Sequence, residues 1–107
     1  MENSDVISVE QLKEKLNDSL TGTLIDVREP WEHEVANIPS AIHIPMADIP
    51  SRIKELENIG SDRELLIICK SGGRSGRVTD YLRQQGFSKV RNVVGGMDEW
   101  QKISPVS

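Results

Sequence analysis

Leu65-Leu66-Ile67-Ile68-Cys69-Lys70-Ser71-Gly72-Gly73-Arg74-Ser75 is the stretch from which the rest of the sequence is read. Four apolar residues in a row are the pattern of a strand buried on both faces, as in a parallel sheet. Cys69, the only cysteine of the chain, stands where that run ends. Beyond it Gly72 and Gly73 free the backbone to curl, Lys70 and Arg74 bring positive charge, and from Ser75 onward the pattern becomes helical. One thiol is thus expected between a strand end and a helix start. The N–H groups of such a loop carry partial positive charge and favour a thiolate, as do nearby cations. The plain alternative is a strand-to-helix turn with solvated Lys and Arg around a small buried hydrophobe.

Working outward, the helix after the loop carries Val78, Tyr81 and Leu82 on one stripe and is expected to stop at Gly86. Val90 to Val94 reads as a strand, Gly95-Gly96 as a tight turn, and Met97 to Ile103 as a last helix with Trp100 facing inward and Pro105 preventing its continuation. Upstream, Val6-Ile7 opens the chain as a short strand. Ser8 and Gln11 then have the spacing of a capping box for a helix over Val9 to Asn17, with Val9, Leu12 and Leu16 toward the core. Thr21-Gly22 punctuates before a strand at Leu24-Ile25-Asp26-Val27. Glu29-Pro30 starts a short helix bearing Trp31 and Val35, which Ile38-Pro39-Ser40 breaks. Ala41 to Ile44 is a short strand ended by Pro45. A helix capped by Asp48 or Ile49, with Pro50 in its first turn, follows; Ile49, Ile53 and Leu56 share a face, and Gly60-Ser61-Asp62 closes it. This alternation predicts an α/β fold, a five-stranded parallel sheet with helices on both faces, in one domain over residues 1–107. Ligands of such sheets sit outside the carboxyl ends of the strands.

Composition narrows the function classes. With 36% hydrophobic and only 4% aromatic residues among 107, the core must be built mainly from Ile, Leu and Val. A formal net charge of -4 provides no field for nucleic acid or an acidic membrane surface, so neither partner is expected, and any anion must be drawn by a local site. A lone cysteine forms no internal disulfide, and Met1-Glu2-Asn3-Ser4-Asp5 is polar and acidic with no apolar region behind it; both point to the cytoplasm. No segment approaches the roughly 20 apolar residues of a membrane helix. His33 and His43 lack paired ligand spacing, so neither metal nor cofactor is expected.

The run Cys69 to Ser75 resembles the active-site loop of rhodanese-type sulfurtransferases. Leu24-Ile25-Asp26-Val27-Arg28-Glu29 is similar to that family's first box, Ile38-Pro39-Ser40-Ala41-Ile42-His43-Ile44-Pro45 to its second, and Val94-Gly95-Gly96-Met97-Asp98-Glu99-Trp100 to its closing box. Four boxes in order span nearly the whole chain, and the single-domain members are the nearest in form. There are departures. Ala36-Asn37 stands where many members have Gly-His, and Ser40 where they have Gly. Glu32 stands where the two-domain thiosulfate enzymes carry a basic substrate contact, which weakens thiosulfate as the physiological donor.

The resemblance implies a sulfurtransferase working through a Cys69 persulfide. Its partners are a small sulfane-sulfur donor and, since no second cysteine exists, an external thiol or protein acceptor. Loop N–H groups at Ser71, Gly72, Gly73 and Ser75 would hold the anionic sulfur, with the hydroxyls of Ser71 and Ser75 as further donors. Lys70 and Arg74 would hold an oxyanion end of the donor or neutralise the leaving group. Asp26 and Arg28 are expected to form an ion pair that positions the loops, and Trp31 and Trp100 to anchor the core or its rim. Cysteine phosphatases and arsenate reductases place five residues between Cys and Arg, whereas here Arg74 is five after Cys69; the shorter cup suits a sulfur atom. A non-catalytic binding module is the other alternative, and retention of the cysteine argues against it.

Overall fold

The structure, a computed structural model, describes residues 5–17, 22–59 and 63–104. Its strands are β1 (Val6–Ile7), β2 (Thr23–Asp26), β3 (Ile42–His43), β4 (Leu65–Ile68) and β5 (Val90–Val93). Its helices are α1 (Val9–Asn17), α2 (Pro30–Val35), α3 (Ile53–Ile59), α4 (Gly73–Gln84) and α5 (Gly96–Ile103). All strand pairs are parallel, in the order β1-β5-β4-β2-β3. The run that opened the reading is the middle of the sheet. Leu65, Leu66, Ile67 and Ile68 are each fully buried, because β4 is paired on both edges and covered on both faces.

The two side-chain sets of the sheet feed two cores. Ile25, Leu65 and Ile67 pack with Leu56 of α3 and with Val78 and Leu82 of α4. Leu24, Leu66 and Ile68 pack with Leu12 of α1 and with Met97 and Trp100 of α5. Helices therefore lie on both faces, and alternate residues of one strand serve opposite cores.

Local chemistry explains the element ends. Ser8 Oγ accepts from the Gln11 N–H at 3.1 Å while Gln11 Oε1 accepts from the Ser8 N–H at 3.0 Å, a reciprocal cap for α1. At the end of α4, the N–H groups of Gly86 and Phe87 return to the carbonyls of Arg83 and Leu82, closing the helix at Gly86. The Pro50 region departs from the expected single helix. Met46–Asp48 and Pro50–Arg52 form two 3-10 turns, and α-helical geometry begins only at Ile53. Pro50 lacks an N–H, so the chain cannot run one hydrogen-bond ladder through it. Ile49 is the residue that caps the second turn, and Ile49 and Leu56 are buried.

Three strands differ in their bounds from the expected ones. β3 shortens to Ile42–His43, the outer strand bonded on one edge only, and the flanking Ala41 and Ile44 N–H groups bond outside it. β2 starts at Thr23 and ends at Asp26, and β5 ends at Val93, leaving Val94 exposed. Trp100 is buried, but Trp31 is 67% exposed; α2 turns it outward with Val35, so it belongs to a rim and not to the core. The stops expected at Thr21, Gly60-Ser61-Asp62 and Pro105, and the acidic start over Met1 to Ser4, lie outside the described residues. Among those described, no helix is long and apolar enough to cross a membrane.

Candidate active site

Two strand ends meet where the sheet order reverses. The chain passes from β2 outward to β3, then returns to β4 on the other side of β2, so the carboxyl ends of β2 and β4 flank a switch point. Cys69 follows β4, and Asp26 and Arg28 close β2.

After Cys69 the backbone turns back over the sulfur. Gly72 takes φ +114°, which a side chain at that position would resist, and it forms the N-cap of α4. Its N–H donates to Cys69 Sγ at 3.1 Å, and the Ser75 N–H does so at 3.3 Å. Ser75 Oγ lies 3.2 Å from the sulfur and also donates to Asn92 Oδ1 at 2.5 Å. Asn92 Nδ2 in turn donates to the Gly72 carbonyl at 3.2 Å, so β5 braces both the hydroxyl and the turn. Burial of Cys69 works to raise its pKa. The Ser75 hydroxyl and the N–H groups of Ser75, Gly72 and Ser71 outweigh it, holding the thiol below its ordinary value. Asn92 was not singled out from sequence. Its only signal there is an amide beside Arg91 in a short strand otherwise made of valines.

The last helix is fastened to the same loop. Met97 N–H donates to the Cys69 carbonyl at 2.8 Å and Asp98 N–H to the Lys70 carbonyl at 2.9 Å. Gly96, at φ +56°, lies so close that a Cβ there would overlap both carbonyl oxygens. Gly96 of the closing box is thus required by the close approach of α5 to the loop that carries the cysteine, whereas a Cβ on Gly95 would meet the Glu99 side chain instead.

Neither cation of the loop is bare. Lys70 Nζ lies 3.2 Å from each carboxylate oxygen of Asp98, an exposed pair. Arg74 forms a two-pronged pair with Glu32, Nη1 to Oε1 at 2.7 Å and Nη2 to Oε2 at 3.0 Å. The Arg74 guanidinium holds the Glu32 carboxyl down at about 2. Glu32 Oε1 also accepts from the Glu29 N–H at 2.9 Å, capping α2.

Asp26 and Arg28 fix that arrangement from below. Arg28 Nε and Nη2 reach the Asp26 carboxylate at 3.0 and 2.8 Å, both residues being buried. The same guanidinium donates to the carbonyls of Glu32 at 3.3 Å and Ala36 at 2.6 Å, tying the end of α2 to the end of β2. Burial opposes ionisation of Asp26, yet the bonds from Arg28 and His33 keep its pKa below the ordinary value. His33 and His43 stack with ring centroids 4.3 Å apart; His33 Nδ1 meets Asp26 Oδ2 at 3.0 Å and His43 Nε2 donates to the Arg28 carbonyl at 2.8 Å. Both histidines therefore serve the same strand end. Among the described residues, no group of three or more His, Cys, Asp or Glu is placed to hold a metal ion.

The profile of the rhodanese-like domain matches residues 8–103, from the cap of α1 to the end of α5. The chain belongs to the rhodanese-like family. It is 40% identical over 96 residues to a sulfurtransferase of Allochromatium vinosum, covering 90% of this chain and 87% of that protein. YrkF of Bacillus subtilis is 42% identical over 94 residues, but the chain spans only 49% of its length. Among solved structures, the human single-domain sulfurtransferase TSTD1 superposes with a TM-score of 0.80 at 25% identity, over 98% of this chain and 100% of that one. The five-stranded parallel sheet with helices on both faces is the fold of this rhodanese-like family. Sequence and fold together make the chain a rhodanese-type sulfurtransferase homologue.

Proposed function

We propose that this protein moves a sulfane sulfur from a small donor to an external acceptor through a persulfide on Cys69. The observation that carries this reading is the set of groups around one sulfur: the N–H groups of Gly72 and Ser75 donate to Cys69 Sγ at 3.1 and 3.3 Å, and the Ser75 hydroxyl oxygen lies 3.2 Å away. Such donors favour the thiolate, which is the attacking species.

In the first step Cys69 Sγ attacks the outer sulfur of the donor. The donor bond to that sulfur breaks, its electron pair leaving as sulfite when thiosulfate is used or as a thiolate when a persulfide is used. A new S–S bond on Cys69 then places the anionic outer sulfur near the loop N–H groups of Ser71, Gly72, Gly73 and Ser75. In the second step an acceptor nucleophile takes that sulfur and restores the Cys69 thiolate. Cyanide serves in an assay, and a cellular thiol or a protein acceptor in life. The chain holds a single cysteine, so the second thiol must come from outside.

Lys70 and Arg74 flank the path of the donor's distal end. Asp26 and Arg28 act through α2 and touch no substrate. Cys69 is only 1% exposed, so the reacting sulfur must enter between the loop and its neighbours, which suits slender sulfane donors. A reducing, cytoplasmic setting belongs to this reading because the thiol must stay free.

Mass spectrometry of the intact protein after exposure to thiosulfate or to a low-molecular-weight persulfide tests the proposal. One added sulfur atom, removed by cyanide or thiol and absent in Cys69→Ser, is expected. A wild-type mass that no sulfane donor changes would contradict it.

A further inference from the structure

Asn92 is a strand residue whose side chain serves the Cys69 loop. β5 is held from both edges, with Asn92 opposite Val6 of β1 and Ile67 of β4, so its Cβ has a fixed place. The first turn of α4 leaves room for the amide, since a Cβ built on Gly76 would meet Asn92 Nδ2 at 3.4 Å. The partners of the amide settle which way round it lies. Nδ2 donates to the Gly72 carbonyl, which only accepts, and Oδ1 therefore faces Ser75 Oγ at 2.5 Å.

An amide oxygen only accepts, and a serine hydroxyl has one proton. That proton lies on the line from Ser75 to Asn92 and not on the line to Cys69 Sγ, 3.2 Å away. While the thiol is neutral, its own S–H donates to Ser75 Oγ. Once the sulfur is a thiolate, the hydroxyl must leave Asn92 before it can offer the proton to sulfur. Two acceptors thus compete for one proton, whereas the N–H groups of Gly72 and Ser75 point at the sulfur directly.

We infer that Asn92 is a positioning residue, which holds the Ser75 proton away from the sulfur and keeps the Cys69 thiolate a stronger nucleophile than the loop alone would leave it. A thiolate that accepts one hydrogen bond fewer keeps more of its electron pair for attack, and thiolate nucleophilicity falls as the thiol pKa falls. When an acceptor takes the outer sulfur, charge returns to Sγ, and the same hydroxyl is near enough to turn to it. That last point rests on the persulfide reading above; the competition for the proton does not, and the experiment follows Cys69 alone. The charged side chains of the surrounding elements are already paired, Arg74 with Glu32, Lys70 with Asp98 and Arg28 with Asp26, and a change at Asn92 leaves those pairs in place.

The rate of alkylation by iodoacetamide is measured against pH in wild type, Asn92→Leu, Ser75→Ala and the double variant; the chain has one cysteine, so the reaction reads Cys69. Leu is close to Asn in shape and accepts no hydrogen bond. The Gly72 carbonyl keeps its bond from the Gly76 N–H at 3.0 Å, so the helix start retains a tie when the amide is lost. With Asn92 replaced, the hydroxyl turns to the sulfur. The apparent pKa should fall, and the rate of the fully ionised thiolate should drop by about threefold, the scale of one modest net hydrogen bond. In the Ser75→Ala background there is no proton to release, and Asn92→Leu should move neither quantity. Asn92→Val, which suits a strand otherwise rich in valine, replaces Asn92→Leu if that variant folds poorly. A residue that merely braced the turn would act in the opposite sense, because loosening carries the Gly72 N–H off the sulfur and raises the pKa in both backgrounds. That rise, a fall that persists with Ser75→Ala, or no movement in either Asn92 variant would overturn the inference. An unmodified wild-type mass after exposure to sulfane donors would overturn the persulfide reading and leave the alkylation result standing.

Discussion

The inside of the Cys69 loop and its rim handle charge in opposite ways. Inside, the sulfur is surrounded by neutral dipoles: the N–H groups of Gly72 and Ser75, which donate to it, and the Ser75 hydroxyl beside it. On the rim every full positive charge is matched, Lys70 with Asp98 and Arg74 with Glu32. Dipoles fixed by the backbone are already oriented and are little affected by salt, whereas a bare cation is hydrated and screened. The lesson is that the thiolate is stabilised from within the loop, and the charged residues that draw the eye in the sequence set what can approach it.

Changes that reach the inside should therefore act on the cysteine, and changes to the rim on stability and donor choice. The largest effect is expected from Gly96→Ala. A Cβ there overlaps the Cys69 and Lys70 carbonyl oxygens at a positive φ, so α5 must move off the loop. A loss of about 2–4 kcal/mol in denaturant unfolding is expected, with slower alkylation of Cys69 at neutral pH. Unchanged stability would mean that α5 and the loop are not packed as described.

Glu32→Gln should be felt mainly in the acid limb. The folded-state pKa of Glu32 is about 2, below its ordinary value, so its contribution is full above the unfolded pKa and is lost as pH falls toward 2. Asp26 is shifted in the same direction. Wild type should therefore lose stability as pH falls from about 4.5 through that window, and Glu32→Gln should flatten the loss. At neutral pH the variant should be weaker by about 1–2 kcal/mol, a modest figure because Arg74 stays in contact with water and Gln keeps the cap. An acid limb of wild-type steepness would remove Glu32 from the account. Ser75→Ala tests the inside with the smallest chemical change. It deletes the hydroxyl but keeps the backbone N–H, and should raise the apparent pKa of Cys69 in the pH dependence of its alkylation. If instead the rim variant moved that pKa and Ser75→Ala did not, the division between inside and rim would be reversed.

The sheet was legible because its signals are local. An uninterrupted apolar run gave β4, turn residues marked the helix ends, and alternation gave the parallel order of elements. Boundaries near prolines were less so, since Pro50 divides a helical pattern into 3-10 turns that periodicity alone does not distinguish. For Trp31 the sequence leaves core and rim both open for a related reason: a large aromatic on a six-residue helix carries no periodicity strong enough to say which way it points. At the site, the loop was visible as a stretch of sequence, but the partners of its residues were not. Glu32 was read by its place in a motif, and its pairing with Arg74 across 42 residues depends on how α2 lies over α4. Asn92 left almost no trace, because a brace under Ser75 is a property of β5 lying beside β4 and not of any spacing within the chain.

The most direct measurement is the pH dependence of Cys69 alkylation by a neutral reagent, iodoacetamide, at low and at high salt. Stabilisation by loop dipoles predicts an apparent pKa below the roughly 8.5 of a free thiol that stays in place as salt is raised. A value at or above that of a free thiol, or one that climbs toward it with salt, would show that the cysteine depends on the rim cations and would contradict the account.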